Sequence, residues 1–130
     1  MNDRKICEIN YPKDKVWGPY LVVCNRTTET GVDSWAVVAL HYSDTPERLD
    51  YRPCLGLRWC VDNQLGYPSA QVPNENIRVP VWMILPDMMS RAFVNSTELG
   101  LTTDQKGLLH KFLDGSVNGD DLAKDWKRLS

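Results

Sequence analysis

The sequence predicts an α+β fold, with an antiparallel sheet of about five strands in the N-terminal two-thirds and two to three C-terminal helices on or beside it. Between residues 5 and 85, apolar segments rich in strand-forming residues are separated by Gly, Pro, Asn and Asp. From residue 86 onward, apolar residues recur instead at the three- and four-residue spacing of helices. Strands followed by helices are typical of α+β domains.

One domain is predicted over residues 1–130, because this length is close to the commonest domain size. Hydrophobic residues make up 42% of the chain and charged residues 25%, which are ordinary values for a globular protein. This composition excludes a wholly disordered chain.

The first predicted strands form a hairpin. Residues 6–10 alternate apolar and polar side chains and are predicted to be a short strand that ends at Tyr11-Pro12. Residues 20–24 and 35–42 are apolar on both faces, and the polar residues 27–33 between them have the composition of a hairpin loop. We therefore predict an antiparallel pair in the middle of the sheet.

The next strand, residues 51–62, is predicted to have one core face and one exposed face. Its odd-numbered residues are mainly apolar, whereas its even-numbered residues include Arg52, Arg58, one Gly and two Cys. Successive side chains on a strand point to opposite faces, so we expect the face with the arginines to be uncovered. Pro53 and Gly56 weaken strand pairing, which predicts an edge position or a bulge.

A long irregular segment, residues 63–78, precedes a last predicted strand over residues 79–85. Loops of this length are uncommon inside a domain and are often functional. The helical part then begins at Pro86-Asp87, since Pro suits the first turn of a helix and Asp suits its dipole. The first helix is predicted over residues 88–95.

Two further helices are predicted from their capping residues. Thr102 or Thr103 can cap the second helix, and Gly115 can end it in the left-handed conformation. Asn118 can cap the third helix. Apolar residues at helical spacing mark the buried faces of both: Leu108, Leu109, Phe112, Leu113, Leu122, Trp126 and Leu129.

Charge and hydropathy limit the possible partners. The formal net charge is −2, with both signs mixed along the chain, whereas proteins that bind nucleic acid usually carry a basic stripe. No apolar run approaches the roughly 20 residues that cross a membrane, and the polar start of the chain does not resemble a secretory signal. We therefore expect a cytoplasmic protein for which nucleic acid and membrane partners are disfavoured.

The four cysteines, Cys7, Cys24, Cys54 and Cys60, include no CxxC pair and have no zinc-module spacing. Three of them lie in apolar, strand-like segments, where Cys behaves as a small hydrophobe. We expect reduced thiols, and we predict neither a metal nor another cofactor.

A calcium loop is a weaker alternative at residues 114–125. Oxygen-bearing residues and a Gly stand where such a loop needs them: Asp114, Ser116, Asn118, Gly119, Asp120 and Asp125. However, Asp121 occupies the position of an aliphatic residue, and the last ligand is Asp where Glu is usual. A Gly helix stop followed by an Asn cap explains the same residues without a metal.

Cys24 and His41 form the strongest candidate catalytic pair, because they lie on strands that we expect to pair. Both residues stand in apolar runs, which are more typical of a core than of a reactive thiolate. The sequence has no nucleophile elbow, phosphate-binding loop, metalloprotease helix or dinucleotide fingerprint. We therefore predict no catalytic residue.

The predicted partner-binding residues are Arg52, Arg58, Tyr67 and Arg78, together with residues 63–77. Arg, Trp and Tyr are enriched at the centres of protein interfaces. The alternative is a purely structural role, in which the arginines cover aromatic rings and pair with Asp50 and Asp62.

We accordingly expect a non-catalytic protein-interaction module that binds a protein partner and blocks or stabilises it. Small inhibitors, immunity proteins and phage-type accessory proteins have this size, and a homodimer is possible. The alternative is a small enzyme, or a ligand or nucleic-acid binder, that uses the Arg and aromatic surface around residues 52–78.

Overall fold

The structure, a computed structural model, describes residues 1–129 and has an α+β fold. The strands are β1 (Val16–Arg26), β2 (Trp35–Tyr42), β3 (Arg52–Trp59), β4 (Ser69–Gln71), β5 (Arg78–Pro80) and β6 (Met83–Ile84). The helices are α1 (Asp3–Cys7), α2 (Asp87–Asn95), α3 (Thr103–Leu113) and α4 (Gly119–Arg128), with a 3₁₀ turn at Thr97–Leu99. The predicted fold class is confirmed.

The main sheet has four antiparallel strands in the order β1-β2-β3-β6, and β4 and β5 form a separate two-stranded sheet. The predicted hairpin is confirmed as the β1–β2 pair, but its predicted place in the middle of the sheet is wrong for β1, which is an edge strand. The register of β2 and β3 is uninterrupted from the Trp35–Trp59 pair to the Tyr42–Arg52 pair. The prediction of an edge position or a bulge for β3 is therefore wrong, because this ladder has no bulge and β3 lies between β2 and β6. Only two residues of β6 pair with it.

Both faces of the main sheet are buried. The C-terminal helices cover one face, where Val37, Leu55 and Phe112 are among the fully buried side chains. A second core lies on the opposite face, where Cys54 and Cys60 pack with residues from the N-terminal segment. The expectation that the Arg- and Cys-bearing face of β3 is uncovered is therefore wrong.

The N-terminal prediction is also wrong, because residues 3–7 form α1 rather than residues 6–10 forming a strand. The side chain of Asn2 accepts a hydrogen bond from the N–H of Lys5 and caps this helix. Ile6 and Ile9 are both buried in the second core. Their separation of three residues fits one face of a helical turn, which a short alternating pattern does not distinguish from a strand.

The predicted strand over residues 79–85 is divided into β5 and β6 by Val81-Trp82. Trp82 turns into the second core, where its Nε1–H donates to the carbonyl of Ile9 over 2.6 Å. The chain changes direction at Trp82, so β5 belongs to the two-stranded sheet and β6 belongs to the main sheet.

The three C-terminal helices are confirmed with their caps. Pro86 precedes α2, Thr102 forms a capping box with Gln105 at the start of α3, and Asn118 caps α4 through the N–H of Asp121. Ser90 fixes α2 to the sheet, because its hydroxyl accepts from Leu55 N–H and donates to the Leu85 carbonyl, each over 3.1 Å. No helix within residues 1–129 is long and apolar enough to cross a membrane.

Candidate binding groove

An open groove of about 500 Å³ lies at the end of the main sheet, between the sheet and the corner that follows α2. Its walls come from the ends of β2 and β3, from β6, and from the segment that leads out of α2. The lining is almost entirely apolar and consists of Trp35, Leu57, Arg58, Trp59, Tyr67, Pro68, Met83, Phe93, Ser96, Glu98 and Leu99.

Three aromatic residues form a row across the strands at this end of the sheet. Trp35 on β2 pairs with Trp59 on β3, and Trp59 forms an isolated bridge with Tyr67. Directly paired residues in antiparallel strands present their side chains on the same face. Trp59 is 40% exposed and Tyr67 is 65% exposed, whereas Trp35 is partly buried against the core beneath the helices. All three line the groove and are here called the aromatic row.

The polar side-chain atoms of the aromatic row differ from those of the buried Trp82. Within the described residues, nothing forms a hydrogen bond with Trp35 Nε1, Trp59 Nε1 or the hydroxyl of Tyr67. The buried Trp82 differs, because its indole N–H is bonded to the Ile9 carbonyl. Exposed Trp and Tyr side chains combine a large apolar surface with one polar handle, which is the combination that binding surfaces use.

Arg58 holds Tyr67 in position from behind the sheet. Its side chain is 2% exposed, and its guanidinium donates to the carbonyls of Leu65 (2.6 Å), Pro68 (3.1 Å) and Val81 (2.6 Å). Its Nε–H also lies 3.2 Å from Cys60 Sγ. Leu65 and Pro68 flank Tyr67 in sequence, so this clamp fixes the loop on both sides of the exposed ring.

Gly66 allows the loop to lie close to Trp59 and Arg58. Its φ of +68° is in the left-handed region, which glycine adopts readily. A Cβ at this position would overlap Trp59 O and Arg58 Nη2, so a side chain would separate Tyr67 from Trp59. The bridge itself consists of two hydrogen bonds between the main chains of Trp59 and Tyr67, of 2.7 and 3.1 Å.

The rim of the groove carries two charges. The guanidinium of Arg26 lies 5.3 Å from the ring centroid of Trp35 and donates to the main-chain carbonyl of Glu98 over 2.5 Å. The carboxylate of Glu98 is exposed, and no cation of residues 1–129 forms a salt bridge with it.

The four predicted partner-binding residues do not form one surface. Tyr67 lies in the groove, but Arg58 is buried beneath it, so the expectation that Arg58 is exposed is wrong. Three main-chain carbonyls offset the cost of burying this cation. Arg52 lies at the opposite end of β3 and pairs with Asp50 and Asp44.

Arg78 is exposed on β5 and bonds to the hydroxyl and carbonyl of Ser69, outside the groove lining. The segment predicted to be irregular, residues 63–78, has some regular secondary structure, because it contains β4 and leads into β5. The role of these residues in partner binding stays a prediction.

Sequence reasoning missed Trp35, Met83, Phe93 and Glu98 as groove residues and assigned Trp59 to the core face. One signal was present: Trp35 and Trp59 stand the same number of residues before and after Glu47, which lies in the loop between β2 and β3. Two strands joined by a loop centred there would pair these tryptophans. The contribution of the α2 corner had no comparable signal.

Cys24 and His41 do not meet. Their strands pair, but Cys24 lies opposite Val37 and His41 lies opposite Trp17. His41 Nδ1 is instead 2.8 Å from the hydroxyl of Tyr20, and its ring stacks on Tyr51 at a centroid distance of 4.6 Å.

These surroundings lower the pKa of His41 to about 4, because burial disfavours the charged imidazole. Burial likewise raises the pKa of the Cys54 and Cys60 thiols, and all four cysteines are free. A neutral His and protonated buried thiols fit packing roles.

The residues of the possible calcium loop are used for helix structure. Asn118 caps α4, Asp114 forms a salt bridge of 2.7 Å with Arg91, and Asp125 pairs with Arg128. No group of three or more His, Cys, Asp or Glu side chains in residues 1–129 is placed to hold a metal ion.

Comparison with known proteins found no matching family model, no similar curated protein and no similar solved structure.

Proposed function

We propose that this protein is a non-catalytic interaction module that binds another protein through the groove at the end of the main sheet. The observation that carries this proposal is the aromatic row, three large rings whose polar atoms have no partner within the described chain. Trp and Tyr are the residues that most often dominate binding energy at protein interfaces. The partner is blocked or stabilised by this contact, as expected for a small inhibitor or accessory protein.

The groove walls support the same proposal. Met83 is 43% exposed beside the row, and Leu57, Phe93 and Leu99 form an apolar floor and side wall. A central apolar patch with aromatic anchors and a polar rim is the usual anatomy of an interface. Arg58 lines the groove but is only 2% exposed, and its guanidinium acts from beneath as a positioning group for Tyr67.

The test is a capture experiment from a lysate of the organism that encodes the chain. The bait is the full-length protein in three forms: wild type, Met83→Glu and Met88→Glu. Met88 is a matched control because it is 81% exposed on α2 but does not line the groove. We expect one partner with wild type and Met88→Glu, and at least a tenfold loss of capture with Met83→Glu, since a charge would be buried at the interface.

Equal capture by all three forms, with equal melting temperatures, would reject the groove as the binding site. A small apolar ligand is the second candidate, because a volume of about 500 Å³ is within the usual range for ligand pockets. Native mass spectrometry of the protein purified from its host would detect such a ligand as added mass that Met83→Glu removes.

A further inference from the structure

The hydrogen bonding of β3 at the groove excludes strand addition to this strand. An extended peptide can add a strand where a sheet edge has free N–H and C=O groups. Here Gly56 and Leu57 pair with β6, and Trp59 exchanges both main-chain hydrogen bonds with Tyr67. An occupant that lies along Trp35, Trp59 and Tyr67 cannot therefore add a strand to β3, and it must be recognised there by side chains.

We propose that the groove binds a proline-rich segment of the partner protein in the polyproline II conformation, lying along the aromatic row. This inference rests on the proposed function and names the chemistry of the partner. In a helical segment the main-chain carbonyls already accept hydrogen bonds within the helix, so they would not accept from the N–H and O–H groups of the row. A polyproline II segment makes no internal hydrogen bonds, so its carbonyls accept from Trp and Tyr while its proline rings pack on the aromatic faces.

The dimensions of the row match this occupant. Neighbouring strands are about 4.8 Å apart, so the step from Trp35 through Trp59 to Tyr67 covers about 10 Å. One turn of polyproline II has three residues and rises about 9 Å. Prolines separated by three residues therefore fall near Trp35 and Tyr67, with Trp59 between them.

The rim adds charge complementarity. The exposed carboxylate of Glu98 has no salt-bridge partner among residues 1–129, whereas the nearby guanidinium of Arg26 already contacts the Trp35 ring and the Glu98 carbonyl. A Lys or Arg beside the proline core would pair with Glu98. We therefore expect the segment to contain a Pro-x-x-Pro core flanked by a basic residue.

The test uses the full-length ¹⁵N-labelled protein and synthetic peptides of about ten residues, enough for three polyproline II turns. The first peptide carries Pro-x-x-Pro and a flanking Arg, the second has Ala in place of the prolines, and the third has Gln in place of the Arg. The five tryptophans of the chain each give one indole N–H signal in a ¹H–¹⁵N spectrum. Trp82 is the internal control because its N–H is already bonded to the Ile9 carbonyl.

We expect the first peptide to shift the indole signals of Trp35 and Trp59 and to leave that of Trp82 in place. Tyr67→Ala should weaken binding at least about tenfold, as for an interface anchor, and Met88→Ala should not change it. Glu98→Gln should abolish the preference for the Arg peptide over the Gln peptide. Wild type, Tyr67→Ala and Glu98→Gln should have matching spectra away from the groove.

The inference is overturned if the proline peptide shifts neither indole signal at about 1 mM, a concentration that detects even weak contacts. Stronger binding of the Ala peptide would also overturn it, because the proline rings would then contribute nothing to recognition. In either case, groove-dependent capture of a protein from the lysate would leave the proposed function standing. Capture that is indifferent to Met83→Glu would reject the proposed function and this inference with it.

Discussion

Replacement of Arg58 by Met should destabilise the protein by about 3 kcal/mol, which is large for one side chain of similar length. The guanidinium is buried and donates to three main-chain carbonyls, those of Leu65, Pro68 and Val81. Burial lowers the pKa of Arg58, but a guanidinium stays protonated at neutral pH. Met fills much of the same volume and removes all of these donors.

The magnitude follows from what remains after the change. The Pro68 carbonyl keeps the N–H of Val81 as a donor at 3.1 Å, whereas the carbonyls of Leu65 and Val81 lose the guanidinium. A buried polar group left unsatisfied costs about 1–3 kcal/mol. Removing a buried cation recovers part of its desolvation cost, which brings the expected net loss to about 3 kcal/mol.

Urea unfolding followed by tryptophan fluorescence measures this difference, with Arg78→Met as the control. Arg78 also donates to a carbonyl, that of Ser69, but it is exposed, so its replacement should change the free energy of unfolding by less than about 1 kcal/mol. In Arg58→Met, the amides of Tyr67 and Val81 should exchange hydrogen faster than the overall loss of folding stability explains. An Arg58→Met variant as stable as Arg78→Met would refute the clamp.

Two further predictions concern the other end of the sheet and the helices. Gly119→Ala should lower the melting temperature, because a Cβ there would overlap the ring of Tyr20. Gly107→Ala, with open space around it in α3, should stabilise by about 0.5–1 kcal/mol. The reverse order of melting temperatures would contradict the close packing of Gly119 against Tyr20. The pKa of His41 is lowered to about 4 in the folded protein, so the unfolded chain takes up this proton first and stability should be lost as the pH falls from about 6.5 to 4. Over this pH range, urea unfolding should show that the free energy of unfolding falls by about 2–3 kcal/mol more in wild type than in His41→Phe. Parallel pH profiles of the two proteins would contradict the burial of His41.

The sequence was informative where a local pattern has one structural solution. Thr102 and Asn118 each have a side-chain oxygen at the start of an apolar helical stripe, and both cap the helices that they predict. Strands that are apolar on both faces predict a sheet that is covered on both sides, and the two cores confirm this. The same pattern does not distinguish an edge strand from a central one, because β1 is apolar on both faces and lies at the edge. Spacing did not decide the conformation of Ile6 and Ile9, because two apolar residues three positions apart fit more than one short element.

The candidate site was less predictable because it depends on contacts between distant segments. Alternation correctly separates the two faces of β3, but it does not say that residues from the N-terminus and Trp82 cover the face with Arg58. The acceptors of Arg58 are main-chain carbonyls, which any residue carries, so no side-chain pattern marks them. Trp59 was assigned to a core face because its neighbours Leu55 and Leu57 belong there, yet the helices do not extend over the end of the strand.

The Arg58 clamp also affects how fast a complex at the groove would associate and dissociate. Because the loop around Tyr67 is already immobilised by the folded chain, a docking partner restricts little additional motion of that ring. Such preorganisation favours rigid docking without a slow rearrangement of the loop. Loosening the clamp should therefore reduce affinity at the proposed site, even though the Arg58 guanidinium is buried beneath the groove.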